Sequence, residues 1–88
     1  MKCNLTIDVG NSHIVFGVFE NDILLQSWRL KSDKTRTGDE YFSVIQNLIK
    51  TNMLDSGNFR IAVLASVVPV LSNVFVHLIK KYFACPVI

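Results

Sequence analysis

Eighty-eight residues, half of them hydrophobic, suffice for one core and are too few for two independent ones. Nine basic residues stand against seven acidic ones for a formal charge of +2, and no Lys/Arg block exceeds the pair Lys80 and Lys81, so the footprint of a duplex-binding protein is missing. The longest apolar run, 61–71, is broken by Ser66 and Pro69 and is too short to span a bilayer, which argues against a membrane protein. Cys3 and Cys85 lie near opposite ends without metal-ligand spacing and read as free thiols of a reducing compartment. Asn4, Thr6 and Asp8 interrupt the apolar residues at the start, against a signal peptide. A cytoplasmic protein is expected.

Residues 2–9 alternate, with Cys3, Leu5, Ile7 and Val9 on one face, which is the period of a half-buried strand carrying Asp8 to its carboxyl end. Gly10-Asn11 offers residue types that tolerate positive φ, and the β-branched and aromatic run 14–19 closes a hairpin. Asn21-Asp22 is a second turn, followed by a strand over 23–31 with Trp28 on the same face as Leu24 and Leu30. Thr37 and Glu40 form a capping box ahead of Tyr41, Val44, Ile45, Leu48 and Ile49 at helical spacing. A turn over 55–58 leads to a continuous apolar strand over 60–65, of the kind expected in a sheet covered on both faces. Pro69 opens a second helix that turns Leu71, Val74, Phe75, Leu78 and Tyr82 inward, and Val87-Ile88 reads as the start of a fifth strand. The order β-β-β-α-β-α-β describes an α/β half-domain that is cut short.

The stretch that carries chemistry is Asp8-Val9-Gly10-Asn11-Ser12 at the first bend. A carboxylate at a strand end, then a glycine that admits close backbone approach, then short polar side chains, can hold a phosphate and its magnesium together. A carboxylate alone would repel phosphate, so the arrangement works only with a metal or an ordered water between them. The same residues also make an ordinary turn, held by Asn at positive φ and by local hydrogen bonds from the Asp side chain.

Ile7-Asp8-Val9-Gly10-Asn11-Ser12, then Trp28-Arg29, then Thr35-Arg36-Thr37-Gly38-Asp39-Glu40-Tyr41, then Ala65-Ser66-Val67-Val68-Pro69 resemble, in order and spacing, the type III pantothenate kinases, and the resemblance runs over the whole chain. It implies membership of the acetate and sugar kinase, heat-shock ATPase and actin superfamily. The implied fold is α/β, a ribonuclease H-like or actin-like ATPase half-domain with flanking helices on a mixed sheet of order 3-2-1-4-5. Residues 1–88 would be its amino-terminal domain, incomplete and without the second domain.

The resemblance further implies ATP-dependent phosphorylation of pantothenate to 4'-phosphopantothenate, the first committed step of coenzyme A synthesis. The ATP phosphates would lie on Asp8, Val9, Gly10, Asn11, Ser12, His13, Ile14 and Val15, with Asp8 on Mg²⁺ directly or through water. A monovalent cation, K⁺ or NH₄⁺, and a homodimer at full length are implied as well. Ser12 stands where Thr is common, and His13 fills a variable position. The Gly-x-Asp-Arg segment that carries the family's general base has no match and is expected beyond Ile88, so no catalytic residue is assigned.

Other candidates have bland readings beside the sharp ones. His13 could touch a phosphate or face solvent, Arg36 could hold an anion or sit on the surface, and Ser66 could border a cleft or close a turn. His77 reads as a plain helix residue, and Tyr41, Phe42, Phe75, Tyr82 and Phe83 as packing. An alternative function, drawn from proteins of similar sequence, is a non-catalytic accessory factor for transcriptional activation; a merely structural piece is a third.

Overall fold

Alternation places Cys3, Leu5, Ile7 and Val9 of β1 (Cys3–Val9) on one face, each no more than 1% exposed. The computed structural model describes residues 2–88. β2 (His13–Glu20) returns antiparallel to β1, and β3 (Ile23–Lys31) antiparallel to β2. β4 (Phe59–Ser66) lies parallel to β1 on its other side, giving a four-stranded sheet of order β3-β2-β1-β4.

The five-strand order 3-2-1-4-5 is therefore corrected to four strands, although the expected place of the fifth is marked. Val87 pairs parallel with Ala62, Ala62 N–H donates to Pro86 O, and Ile88 exchanges hydrogen bonds with Ala62 and Leu64, all at 2.9 Å. Three residues satisfy part of the β4 edge without forming a strand of usual length.

Two helices cover the inner face. α1 (Gly38–Thr51) starts on the expected capping box: Glu40 N–H donates to Thr37 Oγ1 at 3.1 Å and Thr37 N–H to Glu40 Oε1 at 2.8 Å. It buries Tyr41, Phe42, Ile45 and Ile49. α2 (Pro69–Leu78) opens with proline in its first turn and buries Leu71, Phe75 and Leu78. The Phe75 ring packs against Phe16 of β2 and Tyr41 of α1, with centroids 5.9 and 5.0 Å apart, so a single side chain joins both helices to the sheet.

Three expectations need correction. Gly10 and Asn11 do not use positive φ; the left-handed residues among those described are Asn21, Met53 and Ala84. The bend is a loop over 10–12, closed by Gly10 N–H donating to His13 O at 2.9 Å, and the extra residue spreads the reversal so that no left-handed residue is needed. Leu24 does not share the Trp28 face, because the β2–β3 register slips between Val18 and Phe19; Leu25 packs on the core and Leu24 is left 51% exposed. Nor is β4 covered on both faces, since both helices land on the inner one and leave Val63 42% exposed with Ala65 open beside it.

Tyr82 is also turned aside. α2 widens into a π-helical turn (Ile79–Phe83) that ends at left-handed Ala84, and the added residue rotates Tyr82 to the rim. There its ring stacks on Phe42 at 3.8 Å and its hydroxyl donates to Asp39 Oδ1 at 2.5 Å, next to the Lys81 ammonium at 3.2 Å.

Those bonds fix the sign of an acid response. The Tyr82 hydroxyl, then Lys81, hold the Asp39 carboxyl below its usual range, and hydrogen bonds from Thr37 do the same for Glu40. A carboxyl depressed in the folded state contributes stability above its unfolded pKa and loses it as pH falls through the folded one. Melting temperature should therefore fall on acidification below about pH 4, the unfolded carboxylate range. The fall should be shallower in Asp39→Asn; an identical profile in that variant would remove this cause. The charges are exposed, so the effect is small.

Gly17 marks a tight place on the outer face. A Cβ there would stand 2.6 Å from Thr6 Oγ1 and 3.2 Å from Phe19 Cε1. Gly17→Ala is expected to cost about 1–3 kcal/mol by overpacking. Adding Thr6→Ala should recover much of that loss in urea unfolding; strict additivity of the two changes would refute the clash.

Candidate functional site

β1 is where the sheet reverses its connections, with the antiparallel β2 on one side and the parallel β4 on the other. The carboxyl end of such a strand opens a crevice in α/β folds. Asp8 reaches that end on the outer face, flanked in register by Val15 of β2 and Ala65 of β4. Its side chain is exposed and makes no hydrogen bond or ion pair with the described residues.

Residues 8–15 divide into support and surface. Val9 and Ile14 point into the core, 1% and 0% exposed, and cannot offer side chains to a ligand. Val15 is half-buried beside Asp8, while Asn11, Ser12 and His13 are exposed. Gly10 is held where a Cβ would lie 3.1 Å from His13 O, so the tightness of the loop itself calls for glycine. The backbone N–H groups of Asn11 and Ser12 find no acceptor among the described residues. Open amides beside a free carboxylate suit a phosphate joined to the protein through a cation.

One feature of the loop was not visible in the sequence. Ser32, just past β3, donates its hydroxyl to Gly10 O at 2.7 Å and its N–H to Ser12 O at 2.9 Å. Its neighbour Asp33 is held in turn: Asp33 N–H donates to Tyr41 Oη and the Tyr41 hydroxyl donates to Asp33 O, both at 2.9 Å. Tyr41 is fully buried, so the support reaches from the core to the loop. On the other side Val67 N–H donates to Val9 O at 3.1 Å and ties the β4–α2 connection to the end of β1.

Three further candidates, Ser66, Arg36 and His77, lie outside residues 8–15. Ser66 Oγ is engaged with the N–H and carbonyl of Val68, both at 3.1 Å, and closes the turn before α2. The Arg36 guanidinium lies 5.5 Å above the Tyr41 ring. His77 is exposed and lines a groove of about 500 Å³ between the start of α1 and the end of α2, with Thr37, Asp39, Val74, Lys81 and Tyr82. That groove is mostly apolar and shares no lining residue with 8–15, so the charge chemistry of the strand end outweighs its size. Among the described residues no group of three or more His, Cys, Asp or Glu is placed to hold a metal ion. No helix among them is long and apolar enough to cross a membrane.

The sequence model of the type III pantothenate kinase family matches residues 4–88. The type III pantothenate kinases of Geotalea daltonii and Geotalea uraniireducens are 39% and 37% identical over 79 residues, which is 90% of this chain and 31% of each relative. That of Geobacter sulfurreducens is 40% identical over 79 residues, again 90% of this chain and 31% of the relative. The chain thus spans about a third of the length of the curated relatives it matches. Among solved structures, a Bacteroides thetaiotaomicron protein with an actin-like ATPase fold and unknown function superposes with a TM-score of 0.68 at 13% identity, over 98% of this chain and 32% of that one. YeaZ from Pseudomonas aeruginosa superposes with a TM-score of 0.67 at 9% identity, over 100% of this chain and 43% of that one. At those identities the likeness is one of fold, and the fold is actin-like.

Proposed function

Since the chain belongs to the type III pantothenate kinase family, we propose that residues 8–15 form the ATP phosphate-binding loop of an enzyme that phosphorylates pantothenate. The observation that supports this reading is the state of Asp8. A turn-shaping aspartate would accept a local N–H, yet here Gly10 N–H goes to His13 O and the Asp8 carboxylate is left to solvent at a strand end.

On this reading Asp8 would hold Mg²⁺, directly or through water, and the open N–H groups of Asn11 and Ser12 would receive phosphate oxygens, with Gly10 admitting their close approach. The ion, when bound, neutralises charge on the transferring phosphates. The chain's own contribution is orientation: Val9 and Ile14 fix the two strand ends in the core, and the loop between them presents its amides. The whole protein would transfer the γ-phosphoryl of ATP to the primary hydroxyl of pantothenate, opening coenzyme A synthesis. It would act in the cytoplasm as a homodimer with K⁺ or NH₄⁺. Residues 1–88 would be the amino-terminal part of its first actin-like domain. Positioning dominates phosphoryl transfer, so these residues alone should give negligible turnover; measurable ATP-dependent phosphopantothenate formation by them would overturn that expectation.

The direct test is titration of the isotope-labelled chain with ATP, with and without magnesium, followed at each backbone amide. Asn11, Ser12 and His13 should respond together, and more strongly with the metal. Responses confined to the α1–α2 groove would move the site, and none anywhere in the chain would sink the reading.

A further inference from the structure

Resting on the phosphate-loop reading, we infer that Ser32 is a positioning residue of that loop, aiming the Asn11 amide at the ligand. The step from contact to aim comes from peptide geometry. A trans peptide points its C=O and the following N–H in opposite directions. Ser32 Oγ donates to Gly10 O at 2.7 Å, which pins the carbonyl of the Gly10–Asn11 peptide toward Ser32 and so turns the Asn11 N–H away from it. That N–H is one of the two in the loop without an acceptor among the described residues.

The second bond has a complementary effect. Ser32 N–H donates to Ser12 O at 2.9 Å, so the same residue engages carbonyls at both ends of the loop 10–12. Carbonyl oxygens carry partial negative charge and repel phosphate, and fixing two of them on Ser32 keeps them from turning toward the anion. Ser32 can serve as a fixed point because Asp33 is bonded through both backbone polar groups to the Tyr41 hydroxyl, and Tyr41 is buried under α2. A loop with preset amides does not have to be ordered when the ligand arrives.

The hydroxyl and the backbone bond can be separated by substitution. Ser32→Ala removes only the Gly10 contact, Ser32→Cys keeps the shape with a weak donor, and Ser32→Thr keeps the hydroxyl. Each is titrated with magnesium and ATP by amide shifts, beside wild type and Asp8→Asn. Ser32→Ala should weaken binding about tenfold, the scale of one hydrogen bond, with the response at Asn11 reduced most. Ser32→Cys should lie between Ala and wild type, and Ser32→Thr should restore affinity to within about twofold, which a loss of general stability would not do. Should Ser32→Ala or, if that variant does not fold, Ser32→Cys bind like wild type while Asp8→Asn does not, the Ser32 role is wrong and the phosphate loop stands. Should the wild-type loop amides ignore magnesium and ATP altogether, both fall together.

Discussion

Asp8→Asn is expected to leave the fold intact and to weaken magnesium-dependent nucleotide binding by at least about tenfold. The first half follows from the exposed position and the lack of any hydrogen bond or ion pair to the described residues, since surface changes of that kind stay within about 0.5 kcal/mol. The second follows from charge. An amide oxygen is a poorer partner for a hard divalent cation than a carboxylate, and the substitution changes little else. Its diagnostic is a change of sign without the metal. A free carboxylate repels a bare triphosphate, so in chelator the Asn variant should bind ATP no worse than wild type and even better. Equal affinities in magnesium would make Asp8 a feature of the hairpin alone; parallel losses with and without magnesium would mark damage to the loop and not to a metal contact.

The parts of this fold that were legible in the sequence are the ones decided by near neighbours. The alternation of Cys3, Leu5, Ile7 and Val9 set the buried face of β1 and with it the outward place of Asp8. The Thr37–Glu40 pair fixed where α1 begins, to the residue, because a capping box closes within one turn. What escaped depends on contacts across the chain. The Ser32 to Gly10 bond joins residues 22 positions apart, and an isolated serine after a strand gives no sign of its partner. The slip that exposes Leu24 follows from unequal pairing with β2, while Ile23, Leu24 and Leu25 are all apolar, so the sequence does not mark which of them faces inward. The continuous apolar stretch of β4 suggested cover on two faces, yet both helices pack on one. Gly17 within an apolar strand was a signal that could have been read, because glycine in a strand interior often marks close approach, and Thr6 supplies it here.

Phe75→Ala should have the largest effect on stability, about 3–5 kcal/mol, and on the loop as well. Its side chain is fully buried between Phe16 and Tyr41, so truncation leaves a cavity bordered by all three core elements: the sheet, α1 and α2. A domain of this size has roughly 5–15 kcal/mol to lose, and the lower end of that range would put the variant near its unfolding midpoint at physiological temperature. Phe75→Leu keeps much of the apolar volume and should cost less, under about 2 kcal/mol, which separates cavity from chemistry in urea unfolding. The consequence for binding runs through Tyr41, whose hydroxyl holds Asp33 and thereby Ser32 under the loop. In a Phe75→Leu protein that remains folded, the Asn11 and Ser12 amides should therefore show greater disorder than the amides of α1. If the loop stays as ordered as in wild type while global stability falls, the buried aromatic cluster holds the fold without steering the site.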